Sequence, residues 1–78
     1  MDTQELRSLL SKSFEEALIH LEGDGYHYII TIVAENFEGL SKLNRQRMVN
    51  QVLMTSFQDN KLHAVTIKAF TPSEYKLL

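Results

Sequence analysis

The most β-prone run of the chain, Tyr26 to Ala34 (YHYIITIVA), follows directly on a Gly23-Asp24-Gly25 turn, and it constrains everything around it. β-branched and aromatic side chains suit a pleated, half-buried surface, so this run reads as a strand. Side chains alternate along a strand, placing Tyr28, Ile30 and Ile32 on one face and Ile29, Thr31 and Val33 on the other. Both faces are apolar enough for a central strand covered on at least one side. Upstream, Ala17, Ile19 and Leu21 alternate with Leu18, His20 and Glu22. A shorter strand over 17–22 is therefore expected to pair back through the glycine turn as a hairpin.

The flanking segments change period. Leu6, Leu9, Leu10 and Phe14 fall at helical spacing and predict a helix from Thr3 to Glu15, opened by Asp2 with Glu5 in a capping-box arrangement or by Thr3. After the hairpin, 35–42 reads as a loop in which Phe37 anchors the turn and Gly39 supplies a backbone angle that other residues resist. A second helix follows, with Met48, Val49, Val52, Leu53 and Phe57 as its apolar stripe and Asn44, Arg47, Gln51 and Thr55 opposite. Arg45 falls on the stripe's edge, so it must snorkel outward or sit in an irregular first turn. A polar break at 58–61 precedes a third strand over Leu62–Phe70, with His63, Val65, Ile67 and Ala69 on one face and Ala64, Thr66 and Lys68 on the other. Thr71-Pro72-Ser73-Glu74 starts a short terminal helix carrying Tyr75, with a Thr cap, Pro at the first helical position and Glu to close the box.

The expected order is α-β-β-α-β with a short C-terminal helix. A helical crossover between the second and third strands implies parallel pairing, giving a three-stranded mixed sheet with helices on one face. The fold class is α+β, in two layers, as a single domain over 1–78.

Composition limits the chemistry. A chain of 78 residues buries about 60–65% of its unfolded surface, so its core is small. There is no cysteine, hence no disulfide, no thiolate metal cage and no cysteine nucleophile from this chain alone. A net charge of −2 argues against a protein built mainly to grip phosphate backbone. The start MDTQELRSLL has neither a positive n-region nor a long apolar run, so no signal peptide or membrane span is expected and the cytoplasm is the default location.

No catalytic constellation stands out. GDGYH lacks the glycines and lysine of a phosphate loop, and no Ser/His/Asp grouping has a local signature, so an enzyme is not expected. His63 at the start of the third strand reads either as a partly buried histidine bonded to backbone or as a metal ligand at the mouth of the sheet. His27 at the hairpin exit and His20 beside Glu22 read as exposed strand residues. Arg45 and Arg47, with Lys42 and Lys61, form a candidate basic patch at the start of the second helix, where the helix dipole opposes cations.

Four motifs stand in order along the chain: Phe37-Glu38-Gly39; Arg45 and Arg47 followed by Met48-Val49; His63-Ala64; and Thr71-Pro72 with Glu74. Together they resemble the BolA family, and the Leu21-to-Tyr28 hairpin is similar to its short-loop bacterial branch. The resemblance implies a class II KH-like fold without the G-x-x-G loop. It also implies complexes with monothiol glutaredoxins, often bridged by a [2Fe–2S] cluster, and, for some members, DNA-binding regulation linked to stress. It puts the family's presumed cluster ligand at His63, with His27 the nearest candidate for a second ligand. The sulfur ligands would then come from the glutaredoxin cysteine and glutathione, the isolated chain carrying no cofactor and existing as a monomer or weak homodimer. DNA binding would use the second helix through Arg45, Arg47 and Lys42. The chain differs from the family pattern in a tight turn around Asp24 where many members carry a Cys or His, in Gln46 within R-x-R where histidine is common, and in Tyr75 where Trp is usual.

Overall fold

The computed structural model describes residues 1–78 and orders them as α1 (Thr3–Ser13), β1 (Leu18–Gly23), β2 (His27–Val33), a 3-10 turn (Glu35–Phe37), α2 (Lys42–Gln58), β3 (Ala64–Phe70) and α3 (Pro72–Lys76). Asp2 caps α1, its side chain accepting from the Glu5 N–H at 2.8 Å. The helix ends two residues before the expected Glu15. Phe14 leaves helical geometry to bury its ring 5.5 Å from Phe37, and Glu16 adopts φ +62°.

The sheet order is β1-β2-β3, antiparallel then parallel, so α2 is the crossover the sequence calls for. Leu18 pairs with Val33 and Gly23 with Tyr28; His27 pairs with Ala64 and Val33 with Phe70. Tyr28, Ile30 and Ile32 point at the helices and are buried, meeting Leu6 and Leu10 of α1 and Val49 and Leu53 of α2. Phe37 is fully buried in the same cluster, and Gly39 takes φ +76°, as the F-x-G turn requires. On the opposite face His27, Thr66 and Lys68 are exposed, and the Phe70 ring meets that of Tyr75 of α3 at 5.9 Å.

Two positions depart from expectation. β3 begins at Ala64, so Leu62 and His63 precede the ladder rather than open it. Arg45 neither snorkels nor distorts the first turn. It lies inside a regular α2, 8% exposed, because the Glu74 carboxylate and two backbone carbonyls receive it.

Both outer strands have their edges partly closed by helix side chains. Arg7 of α1 donates to the Ile19 carbonyl of β1 at 2.7 Å; Gln46 and Arg45 of α2 donate to the Ile67 and Ala69 carbonyls of β3 at 2.7 and 3.2 Å. Unpaired edge carbonyls invite pairing with another chain, and these side chains occupy them.

Candidate functional site around His63

The backbone that carries His63 is fixed on both sides. α2 ends with Asn60 in the left-handed region (φ 59°), the Asn60 N–H reaching Phe57 O at 3.1 Å and the Lys61 N–H reaching Ser56 O at 2.9 Å. This is a Schellman closure, which satisfies the last carbonyls and turns the chain sharply. Leu62 then plugs into the core at 2% exposure, and the Ala64 N–H bonds Tyr26 O at 3.2 Å. His63 sits between these anchors with its side chain exposed. The expectation of a partly buried, backbone-bonded imidazole is therefore corrected: Leu62, not His63, takes the buried place, because the strand starts at Ala64, two residues later than expected.

The ring of His63 lies 5.2 Å from that of Tyr26, tilted by 36°. While His20 and His27 each engage a side chain, Glu22 at 3.0 Å and Thr66 at 3.3 Å, His63 joins no hydrogen bond within the chain. Strand alternation places His27 with Ala64 and Thr66 on one face of the sheet, while His63 and Tyr26 stand just before the paired residues of β3 and β2.

Asp24 is spent on the turn. Its Oδ1 accepts from the N–H groups of His27 at 3.1 Å and Tyr26 at 2.9 Å, and these bonds hold its carboxyl below the ordinary range. No group of three or more His, Asp or Glu side chains is arranged to hold a metal ion. With no cysteine either, the donor set fits a cluster only as a contributor of imidazole to a site completed by another molecule.

The candidate basic patch is dispersed. Lys42 and Arg47 are exposed near the start of α2, but Lys61 lies past its other end, about 24 Å away at 1.5 Å rise per residue. Arg45 is withdrawn altogether. Its NH1 meets Glu74 Oε1 at 2.6 Å and its NH2 meets Oε2 at 3.2 Å, while its Nε donates to Leu40 O at 3.0 Å. The Arg45 guanidinium, helped by the Thr71 N–H, pulls the Glu74 carboxyl down to about 2; Glu74 in turn raises Arg45, with Glu38 adding a weaker attraction. The Arg45–Glu74 fork and the Tyr26–His63 stack are not evident from the sequence. The first has a trace there, since Glu74 already stands out as a capping residue.

A family model described as BolA-like protein matches residues 7–74, which is most of the chain. The chain belongs to the BolA family. It is similar to the acid stress protein IbaG of Escherichia coli K12, 39% identical over 96% of this chain and 89% of that protein. Among solved structures it resembles a BolA homologue from Coxiella burnetii, with TM-score 0.84 and 30% identity over 97% of both chains. It also resembles the BolA domain of SufE1 from Arabidopsis thaliana, with TM-score 0.82 and 25% identity over 95% of this chain and 98% of that one. The α+β architecture of this BolA chain is thus that of its solved relatives. Its F-x-G turn is Phe37 in the core, and its T-P-x-E ending is a complete capping box: the Glu74 N–H donates to Thr71 Oγ1 at 3.3 Å and the Thr71 N–H to Glu74 Oε1 at 2.9 Å. Its first Arg is a structural tie, and its His is an exposed side chain on a fixed backbone.

Proposed function

We propose that this BolA chain is a non-enzymatic adaptor that binds a monothiol glutaredoxin and shares or hands on a [2Fe–2S] cluster through His63, in iron–sulfur assembly or in iron or stress signalling. The observation that carries the reading is the state of His63: exposed, without a hydrogen bond of its own, and mounted on a pinned backbone. A ligand shared between two proteins must be within a partner's reach, and both ring nitrogens of His63 are open to one. The absence of cysteine divides the labour, the sulfur donors coming from the glutaredoxin cysteine and glutathione. When bound, a cluster with imidazole ligation has a higher potential than an all-thiolate one and is sensitive to acid. The acid-stress name of the Escherichia coli relative supports the stress side of the proposal.

His27 is the second candidate ligand, with its ring already on Thr66. DNA binding through α2 is the runner-up; it rests on the exposed Lys42 and Arg47, Arg45 being committed to Glu74. A steep loss of DNA affinity with salt, weakened further by Arg47→Ala, would favour it.

The deciding experiment mixes the protein with a monothiol glutaredoxin reconstituted with iron, sulfide and glutathione, and records visible absorption and circular dichroism. A heterodimer with a changed cluster spectrum, lost in His63→Ala, is the expected result; His27→Ala then tests the second ligand. A spectrum that stays that of the glutaredoxin homodimer, with no complex formed, would sink the proposal.

A further inference from the structure

β3 is the outer strand of the sheet beside α2, and its free edge is chemically one-sided. The ladder turns the backbone groups of Ala64, Thr66, Lys68 and Phe70 toward β2, as in the bonds from the Ala64 N–H to Tyr26 O and from the Ala34 N–H to Phe70 O. Those of Val65, Ile67 and Ala69 therefore face outward. Gln46 and Arg45 already occupy the Ile67 and Ala69 carbonyls, whereas the N–H groups of these residues have no acceptor within the chain. Strand addition uses donors and acceptors in alternation, and here the edge offers mainly donors.

A groove of about 400 Å³ runs along this edge, walled by Ile67, Ala69 and Phe70, with Lys42 and Lys68 exposed at its rim. It holds Lys42, Arg45 and Lys68 against Glu74 alone, a local excess of positive charge on a chain whose net charge is −2. We propose that this groove docks an acidic segment of a partner protein. The segment lies along β3 with acceptors on the Ile67 and Ala69 N–H groups, about 6.6 Å apart, and carboxylates toward Lys42 and Lys68. Acceptor-only groups are what an edge with filled carbonyls and free donors selects. A nucleic-acid strand is the poorer occupant, because phosphate affinity grows with the number of free cations and the groove has only two. The surface goes beyond the cluster reading and does not rest on it, since Ala69 lies about 20 Å along the strand from His63.

The test is a titration of the 15N-labelled full chain with acetyl-Glu-Val-Glu-Val-Glu-amide, followed by amide shifts. Saturable movement of the Val65, Ile67 and Ala69 signals is expected, with affinity at least tenfold lower in the Lys42→Glu/Lys68→Glu double variant and unchanged in His63→Ala. Both lysines are exposed, so the double variant keeps its fold, checked by circular dichroism. The proposal is overturned if those amides do not move, if the double variant binds equally well, or if a short oligothymidine occupies the groove and the acidic peptide does not.

Discussion

The Arg45 guanidinium meets the Glu74 carboxylate as a two-bonded fork, at 2.6 and 3.2 Å, and so ties the start of α2 to α3 across the end of β3. A buried arginine without its partner is an uncompensated charge, and loss of the arginine empties a packed site. Arg45→Ala is expected to destabilise the fold by about 2–3 kcal/mol, less than a fully buried pair because Glu74 is half-exposed. Urea unfolding measures this; an unchanged midpoint would refute the structural role.

The same pair makes a pH prediction. The Glu74 carboxyl is lowered from 4.5 to about 2 in the folded chain, so the unfolded chain protonates first as pH falls. Its contribution is complete above pH 4.5, shrinks as pH drops from there toward 2, and is gone below. The difference in Tm between the native protein and Glu74→Gln should be constant from pH 7 to about 5 and then close progressively. A difference that vanished already at pH 6 would contradict the assignment.

Phe37 anchors the F-x-G turn while fully buried, with its ring against Phe14. Phe37→Ala should cost about 3–5 kcal/mol. Against a total stability of roughly 4–12 kcal/mol for a domain this size, that is enough to leave much of it unfolded. Near-ultraviolet circular dichroism and thermal melting read the loss; a Tm within a few degrees of native would show that the turn closes without this ring.

Two glycines of one turn should differ sharply. A Cβ on Gly23 would strike the His27 carbonyl and the Tyr28 ring at the last rung of the hairpin, whereas one on Gly25 meets nothing within 4 Å. Gly25→Ala carries only the strain of φ +98°, about 1 kcal/mol. Gly23→Ala adds a backbone collision and should cost at least twice that, ranked by chemical denaturation.

His63→Ala and His27→Ala should both leave stability within about 0.5 kcal/mol of native, since each side chain is exposed. Any loss of partner or cluster binding in these variants then reports on the site and not on the fold. A Tm drop of ten degrees in His63→Ala would make it a structural residue instead.

The elements and topology were legible because period and punctuation agree: alternation in Tyr26–Ala34, the glycine turn, the stripe at Val49 and Leu53, the capped Thr71-Pro72 start. What was not legible depends on contacts far apart in sequence. Arg45 looked misplaced on an apolar stripe because its partner, Glu74, comes 29 residues later and has a local reason of its own to be there. The start of β3 moved by two residues, from Leu62 to Ala64, because Leu62 has the same apolar character whether it opens a strand or plugs a core. Tyr26 looked like the first residue of a strand, and only the parallel register brings it beside His63.

The Schellman turn at Asn60 and the buried Leu62 have a consequence for exchange between partners. Ordering a mobile segment on association is charged against affinity; here the backbone at His63 is already ordered, and only a side chain of two torsions has to settle. On the proposed reading, capture and release at this position would require no folding or melting of the chain. On the same reading, the speed of a handover would be left to the incoming and departing molecules, with the backbone at His63 a fixed point between them.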